Sequence, residues 1–198
     1  MTARPPLPPY DGVVLAGGAA RRLDGADKPA IVLDDRALLD RVLDALVGAA
    51  KTIVVGPART TASRVLWTRE EPPGGGPVAA LAAGLGLVDQ STVVVLAADL
   101  PFVGSAVTPL LEALEAFDAA VLTDREGRQQ PLLAAYRTPA LRAALAALPT
   151  AEGASMRSLL STMSVVTVPD PGGARPAAHD CDTWGDVDRA RQLLEETR

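Results

Sequence analysis

The sequence predicts an α/β fold, a mostly parallel sheet with one antiparallel strand and helices on both faces. Three observations predict it. Short apolar runs rich in β-branched residues recur along the chain, as strands buried on both faces require. Stretches with apolar residues at helical spacing separate those runs, the signature of strand–helix alternation. The runs also stop abruptly at Gly-Gly, Gly-Pro and Asp-Leu-Pro. In open parallel sheets, ligands bind just beyond such carboxyl ends of the strands.

Taken in order, "VVLA" (13–16) is closed by Gly17 and Gly18 and reads as a buried strand. Leu38, Leu39, Val42, Leu43, Leu46 and Val47 then share one helical face. "TIVV" (52–55), ended by Gly-Pro, is a second strand and "RVLWT" (64–68) a third. "PPGGGP" leads into a small-residue helix over 78–88. "TVVVLAA" (92–98) is the plainest strand and runs into Asp99, Leu100 and Pro101. A helix over 106–116 precedes strand "AAVLT" (119–123), a turn at Glu126 and Gly127, and strand "LLAAY" (132–136). The loop between those two strands is too short for a crossover, so one of them is antiparallel. Helices over 139–147 and 155–162, strand "SVVTV" (164–168), a Pro/Gly loop and a helix over 185–195 complete the alternation.

A chain of 198 residues, 48% of them hydrophobic, suits one domain with a real core. Residues 12–198 form that domain. Residues 1–11, with Pro5, Pro6, Pro8 and Pro9, read as a flexible or polyproline-like arm. That arm has no apolar core of a signal peptide, and no apolar run is long enough to span a bilayer, so a soluble, cytoplasmic protein is expected. Cys181 is the sole cysteine and His179 the sole histidine, which excludes an internal disulfide and a His-rich metal site. A net charge of −5 argues against general nucleic-acid binding. The chain has seventeen arginines but only two lysines, Lys28 and Lys51, so a lysine within the opening loop stands out.

That loop lies in "GVVLAGGAARRLDGADKP" (12–29). Glycines directly after a buried strand let backbone N–H groups approach an anion closely. Arg21, Arg22 and Lys28 add charged donors suited to phosphate oxygens. Neither the G-x-x-x-x-G-K-[ST] loop nor the G-x-G-x-x-G fingerprint is present. On loop chemistry alone, a tight turn with a solvated basic edge competes evenly with a phosphate site.

Asp99 ends the plainest strand, where a carboxylate is placed to hold Mg²⁺ against triphosphate oxygens. The competing role is a helix cap or a turn aspartate for the segment that follows. "EEPPGGGPVAALAAGL" (70–85) offers a second glycine turn into a helix, with Glu70 or Glu71 able to accept from the amino groups of a base. In "HDCDTWGD" (179–186), Asp180 and Asp182 share a face if extended. Asp182 is either a second metal ligand, a group orienting the acceptor, or part of a cap that Thr183 and Asp186 could equally supply. His179 reads as a loop residue. Ser155 and Ser158 have no histidine with which to build a triad.

Together these segments resemble the nucleotidyltransferases of Rossmann-like fold, and within them the molybdenum cofactor guanylyltransferases, the MobA family. The family's L-A-G-G-x-x-x-R-M-G-x-x-D-K is met by Leu15, Ala16, Gly17, Gly18, Arg22, Gly25, Asp27 and Lys28, with Leu23 in place of methionine and Asp24 where glycine is common. Its G-P-L-A-G-L appears as "GPVAAL" (76–81), its C-D-x-P as "ADLP" (98–101), its H-P as "QP" (130–131), and its N-T-P-E-D-L as "DTWGDV" (182–187). The resemblance spans about residues 12–195.

What the resemblance implies is a three-layer fold and a reaction. The terminal phosphate of molybdopterin, or of its molybdenum-loaded form, attacks the α-phosphate of Mg-GTP and pyrophosphate leaves. Leu15, Ala16, Gly17, Gly18, Lys28, Glu70, Gly76 and Asp99 would then bind the nucleotide. Arg22, Lys28 and Asp99 would be catalytic, Asp99 holding Mg²⁺ (or Mn²⁺) with Asp182 as a second ligand. Arg157 and Asp182 would meet the acceptor. A molybdenum-insertion or cofactor-delivery protein is an implied partner, whereas nucleic acid and membrane are not. "LAGG" points to guanine, while "DCDT" looks more like cytidine users, and Gly56 stands where guanine users often carry asparagine, so that one base contact is missing or supplied elsewhere. The balance favours GTP. The alternatives are a cytidylyltransferase, a transferase for another phosphorylated acceptor, or a nucleotide-binding domain without catalysis.

Overall fold

The computed structural model describes residues 7–17, 23 and 25–196. Its central sheet has seven strands: β1 (Asp11–Leu15), β4 (Thr52–Val55), β5 (Leu66–Thr68), β6 (Thr92–Ala97), β7 (Ala119–Thr123), β8 (Gln129–Arg137) and β9 (Val165–Pro169). β2 (Val32–Leu33) and β3 (Arg36–Ala37) form a small separate hairpin. The sheet order is β5-β4-β1-β6-β8-β7-β9. β1 runs parallel to β4 and β6, β4 to β5, and β7 to β9. β8 alone is reversed, antiparallel to both β6 and β7. The short turn after β7 therefore does close an antiparallel pair, as the loop length requires.

β8 is longer than its apolar stretch suggests, and it contains Pro131. The β7–β8 register jumps from Val121 opposite Ala134 to Leu122 opposite Gln130. Pro131 falls inside that bulge, where its missing N–H leaves no ladder bond unmade.

Successive strand residues face opposite sides, and each side has its own core. Val14, Val54, Val94, Leu96 and Leu122 pack under α1 (Leu38–Asp44) and α3 (Val107–Ala113). Val13, Leu15, Ile53, Val95 and Val121 pack under α2 (Pro77–Leu85), α4 (Thr138–Ala146) and α5 (Met156–Leu160). Helices thus cover both faces of a mostly parallel sheet. α2 lies close against its face: a Cβ added at Gly84 would fall 2.8 Å from Val13 and 2.9 Å from Val55. The small-residue composition of that segment is what lets it settle there.

A third core joins α6 (Trp184–Glu195) to the opening loop through Leu23, Ile31, Leu33, Leu38, Phe102 and Val187. Leu23, the residue standing for the family's methionine, is fully buried in it. At the other end of the loop's strand, Tyr10 is buried and Asp11 opens β1, accepting the N–H groups of Asp89 (2.7 Å) and Gln90 (3.0 Å). Those two residues of the proline-rich segment are part of the fold. The segment over 106–116 is an α-helix only to Ala113 and finishes as a 3₁₀ turn, Leu114–Ala116.

Candidate active site

The carboxyl ends of β1, β4 and β6 meet at one edge of the sheet. Ala16 donates its N–H to Val55 (2.8 Å) and Ala98 donates to Leu15 (3.0 Å), which pins the start of the opening loop between its two neighbours. Gly56 follows β4 with φ +150°, and a Cβ there would stand 2.8 Å from the Ala16 carbonyl oxygen. Only glycine allows this approach. Gly17 is exposed, with open space where a side chain would be. Gly18, Arg21 and Arg22 lie outside the described residues, so their expected phosphate contacts remain readings of the sequence.

Lys28 opens a 3₁₀ turn (Lys28–Ala30) at the far end of that loop. Its ammonium donates to Asp99 Oδ2 and to Asp182 Oδ1, residues 71 and 154 positions away. Asp99 sits just past β6, and the Cys181 N–H bonds its carbonyl oxygen (3.2 Å), fastening the segment before α6 onto the strand end. Asp99 heads no helix. Asp182 is not the cap of α6 either: Thr183 is, accepting the Asp186 N–H (3.3 Å), while Asp186 Oδ2 accepts the Thr183 N–H (2.7 Å). That reciprocal capping box leaves Asp182 to face Lys28.

The electrostatics are those of one cation among several carboxylates. Burial works against the charge on Lys28, but Asp99 and Asp182 outweigh it and hold its pKa above the ordinary lysine value. Asp180 is exposed, yet partial desolvation and then the charges of Asp182 and Asp99 raise its pKa above the usual carboxylate range. The Cys181 thiol is pushed up to about 12 by burial and is no nucleophile.

Among the described residues no three metal-ligating side chains converge. Mg²⁺ characteristically takes one or two carboxylates and completes its shell with phosphate oxygens and water. Asp99 and Asp182 are such a donor set, so the residues fit a divalent ion that enters with a triphosphate. Lys28 bridges those same two carboxylates.

Beside this cluster lies a cleft of about 340 Å³, lined by Ala16, Gly17, Gly56, Arg59, Arg69, Glu70 and Gly74 among others. Glu70 Oε1 accepts the Gly74 N–H (3.1 Å); its other oxygen bonds none of the described residues. Gly74 (φ +86°) and Gly76 (φ +90°) make the turn into α2, for which Gly76 is the N-cap. Pro77 has no N–H, so the donors at that helix start are Val78 and Ala79. Gly153 donates to the Gly75 carbonyl (2.9 Å), tying the α4–α5 connection to this turn.

The structure thus gathers Lys28, Asp99 and Asp182, with Asp180 close by, and sets Ala16, Gly17 and Glu70 around one cleft. Arg157 joins neither group: it is exposed on α5 and forms no hydrogen bond or ion pair among the described residues. His179 packs its ring on Phe102 (5.8 Å) and its Nε2 lies 3.0 Å from the Asp186 carbonyl oxygen, a loop role as expected. Ser155 caps α5. One site residue was not foreseen. Arg59, in the β4–β5 loop, clamps Asp27 with one edge of its guanidinium, Nε and Nη2.

A model of the MobA-like NTP transferase domain matches residues 12–168. The chain belongs to this MobA-like family. A probable molybdenum cofactor guanylyltransferase of Natronomonas pharaonis is 30% identical over 197 residues, 92% of this chain and 97% of that protein. Among solved structures, molybdopterin-guanine dinucleotide biosynthesis protein A of Archaeoglobus fulgidus superposes with a TM-score of 0.70 at 22% identity, over 94% of this chain and 99% of its own. The 2-C-methyl-D-erythritol 4-phosphate cytidylyltransferase of Thermus thermophilus does so at 0.69 and 23%, over 93% and 98%. These two likenesses establish the Rossmann-like nucleotidyltransferase fold. Membership of the MobA-like family makes the chain a nucleotidyltransferase. Among the described residues no helix is long and apolar enough to cross a membrane.

Proposed function

We propose that this MobA-like enzyme transfers GMP from Mg-GTP to the terminal phosphate of molybdopterin, free or molybdenum-loaded, and releases pyrophosphate. One observation carries the reading: a half-buried lysine from the opening loop bridging two carboxylates at the ends of β6 and the α6 approach. A domain that only binds nucleotide has little use for an ammonium parked on a two-carboxylate metal site.

Such transfers depend on positioning and charge neutralisation more than on covalent participation by the protein. When bound, Mg²⁺ supplies the neutralising charge across the triphosphate oxygens and acts as a Lewis acid. Asp99 would hold that ion, with Asp182 beside it. Lys28, released from the carboxylates, reaches for the α-phosphate, where charge builds as the acceptor oxygen bonds phosphorus and the α–β bridging bond breaks. Gly17 and Gly18, with Arg22, cradle the departing pyrophosphate. Glu70 accepts from the base in the cleft, beside the α2 turn at Gly76. Arg157 would meet the acceptor's phosphate. A molybdenum-insertion or delivery protein would bring that acceptor to the site.

The second reading is transfer of CMP, favoured by Asp180 and Asp182 and by Gly56 in the cleft wall. Pyrophosphate release with Mg²⁺ and purified molybdopterin, compared across GTP, CTP, ATP and UTP, decides between them. Turnover with GTP alone is expected. Preference for CTP overturns the choice of base and keeps the site. Tight GTP binding with no release for any acceptor leaves only a binding domain.

A further inference from the structure

We infer that Arg59 is a positioning residue for Lys28, acting through Asp27; its catalytic consequence rests on the nucleotidyl-transfer reading above. Arg59 Nε and Nη2 donate to the two oxygens of Asp27, at 2.7 and 2.5 Å, and Nη1 donates to the Pro57 carbonyl of its own loop at 2.7 Å. All three guanidinium nitrogens are therefore engaged, although Arg59 lines the cleft. The side chain is spent on the protein and not held out for a phosphate.

The geometry is that of a strut. Arg59 stands on the loop after β4, close to Gly56, which itself abuts Ala16. Asp27 precedes Lys28, and its carbonyl accepts the Ala30 N–H (2.8 Å) that closes the 3₁₀ turn bearing the lysine. A two-point carboxylate–guanidinium fork fixes direction as well as distance, which a lysine in place of the arginine cannot do. The Arg59 side chain is 17% exposed and that of Asp27 51%. Pairs this close to solvent add little to global stability. The clamp's effect is therefore local: it fixes the approach of the Lys28 turn relative to the β4 edge of the cleft. The Arg59 bonds also hold the Asp27 carboxyl below the usual carboxylate range, so the fork stays charged at neutral pH.

Lys28 and Lys51 are the only lysines, so the chain carries its own internal standard. Competitive acylation with acetic anhydride, read by mass spectrometry as the Lys28 to Lys51 ratio, reports the position of Lys28 with no reference to activity. In Arg59→Met that ratio should rise several-fold. Turnover should fall roughly ten- to a hundredfold, with the nucleotide KM changed less than about threefold, because an interaction that orients a catalytic group appears in kcat. Arg59→Lys should recover only a small part. Asp27→Asn should match Arg59→Met, and the double variant should be no worse than either, since one interaction is removed in each case. A wild-type labelling ratio in both single variants overturns the inference. So does an effect confined to KM, which would make Arg59 a nucleotide contact. If the wild-type protein releases no pyrophosphate with any nucleotide, the functional reading fails alone, and the labelling ratio still decides whether Arg59 positions Lys28.

Discussion

Two groups of charges on one sheet, one in the β7–β8 hairpin and one at the carboxyl ends of the central strands β1 and β6, are put to opposite uses. In the β7–β8 hairpin, Asp124 Oδ1 accepts the N–H groups of Glu126 (3.0 Å) and Arg128 (2.9 Å), and Oδ2 accepts from Arg128 Nε (2.8 Å) and Gln130 Nε2 (2.9 Å). All partners lie within six residues. Although burial opposes it, those bonds hold the Asp124 carboxyl below the usual range. This carboxylate is satisfied, and it serves the turn. At the ends of β1 and β6, by contrast, Lys28 serves Asp99 and Asp182 together, with Asp180 crowded nearby and pushed upward by partial desolvation and by its neighbours. Those partners come from 71 and 154 residues away. On the proposed reading the distant carboxylates are gathered to hold a cation between them, whereas the local one only closes a turn.

Substitutions in the two groups should therefore part company. The largest effect is expected from Lys28→Ala: a fall in turnover of roughly a hundredfold or more, with nucleotide affinity changed far less, because the lost charge acts where the transition state needs it. Pyrophosphate release and equilibrium titration measure the two quantities, and near-normal turnover would remove Lys28 from the mechanism. Asp99→Ala comes next, and should abolish the Mg²⁺ dependence of GTP binding while leaving some metal-independent affinity, as isothermal titration with and without chelator would show. Asp124→Ala should reverse the pattern. Losing a carboxylate that accepts from two exposed turn N–H groups costs about 0.5–1.5 kcal/mol, visible as a lower urea midpoint with kcat unchanged. A large loss of kcat there would erase the distinction.

The alkaline limb of stability sharpens the contrast. A lysine whose folded-state pKa is held above the ordinary lysine value of 10.5 adds stability that is fully present below that value. The contribution is lost as pH rises through the raised folded value. Urea midpoints above pH 10.5 should thus fall in the wild type more steeply than in Lys28→Met, which has nothing there to lose. The smallest effect is expected from Arg128→Ala, an exposed partner whose removal should leave turnover unmoved and the midpoint almost so.

Much of this protein is legible in local chemistry. Strand β4 is the "TIVV" run residue for residue and β7 is "AAVLT", because period-two burial and the flanking Gly-Pro or Asp-Ala boundaries act over a few residues. The reversed strand followed from the length of one loop. Asp99 stood out because it directly follows the plainest strand, and Lys28 because it is one of two lysines in the chain and lies in the opening loop. The extra reach of β8 through Pro131 did not stand out, since the bulge that accommodates the proline is a property of the pair and not of the strand.

The rest waited on the way the chain returns to itself. Whether Asp182 would serve the site or cap α6 was even on sequence grounds; Thr183 and Asp186 took the cap between them, and the fold set the Asp182 carboxylate against Lys28, a contact no local pattern foretold. The Arg59–Asp27 fork could not be read at all, since nothing in either segment names a partner 32 residues distant. Apolar periodicity and glycine placement are short-range physics, carried by adjacent residues. Pairing of charges across β1, β4, β6 and α6 depends on strand order and crossovers, which set only at the level of the whole sheet which ends come to lie side by side.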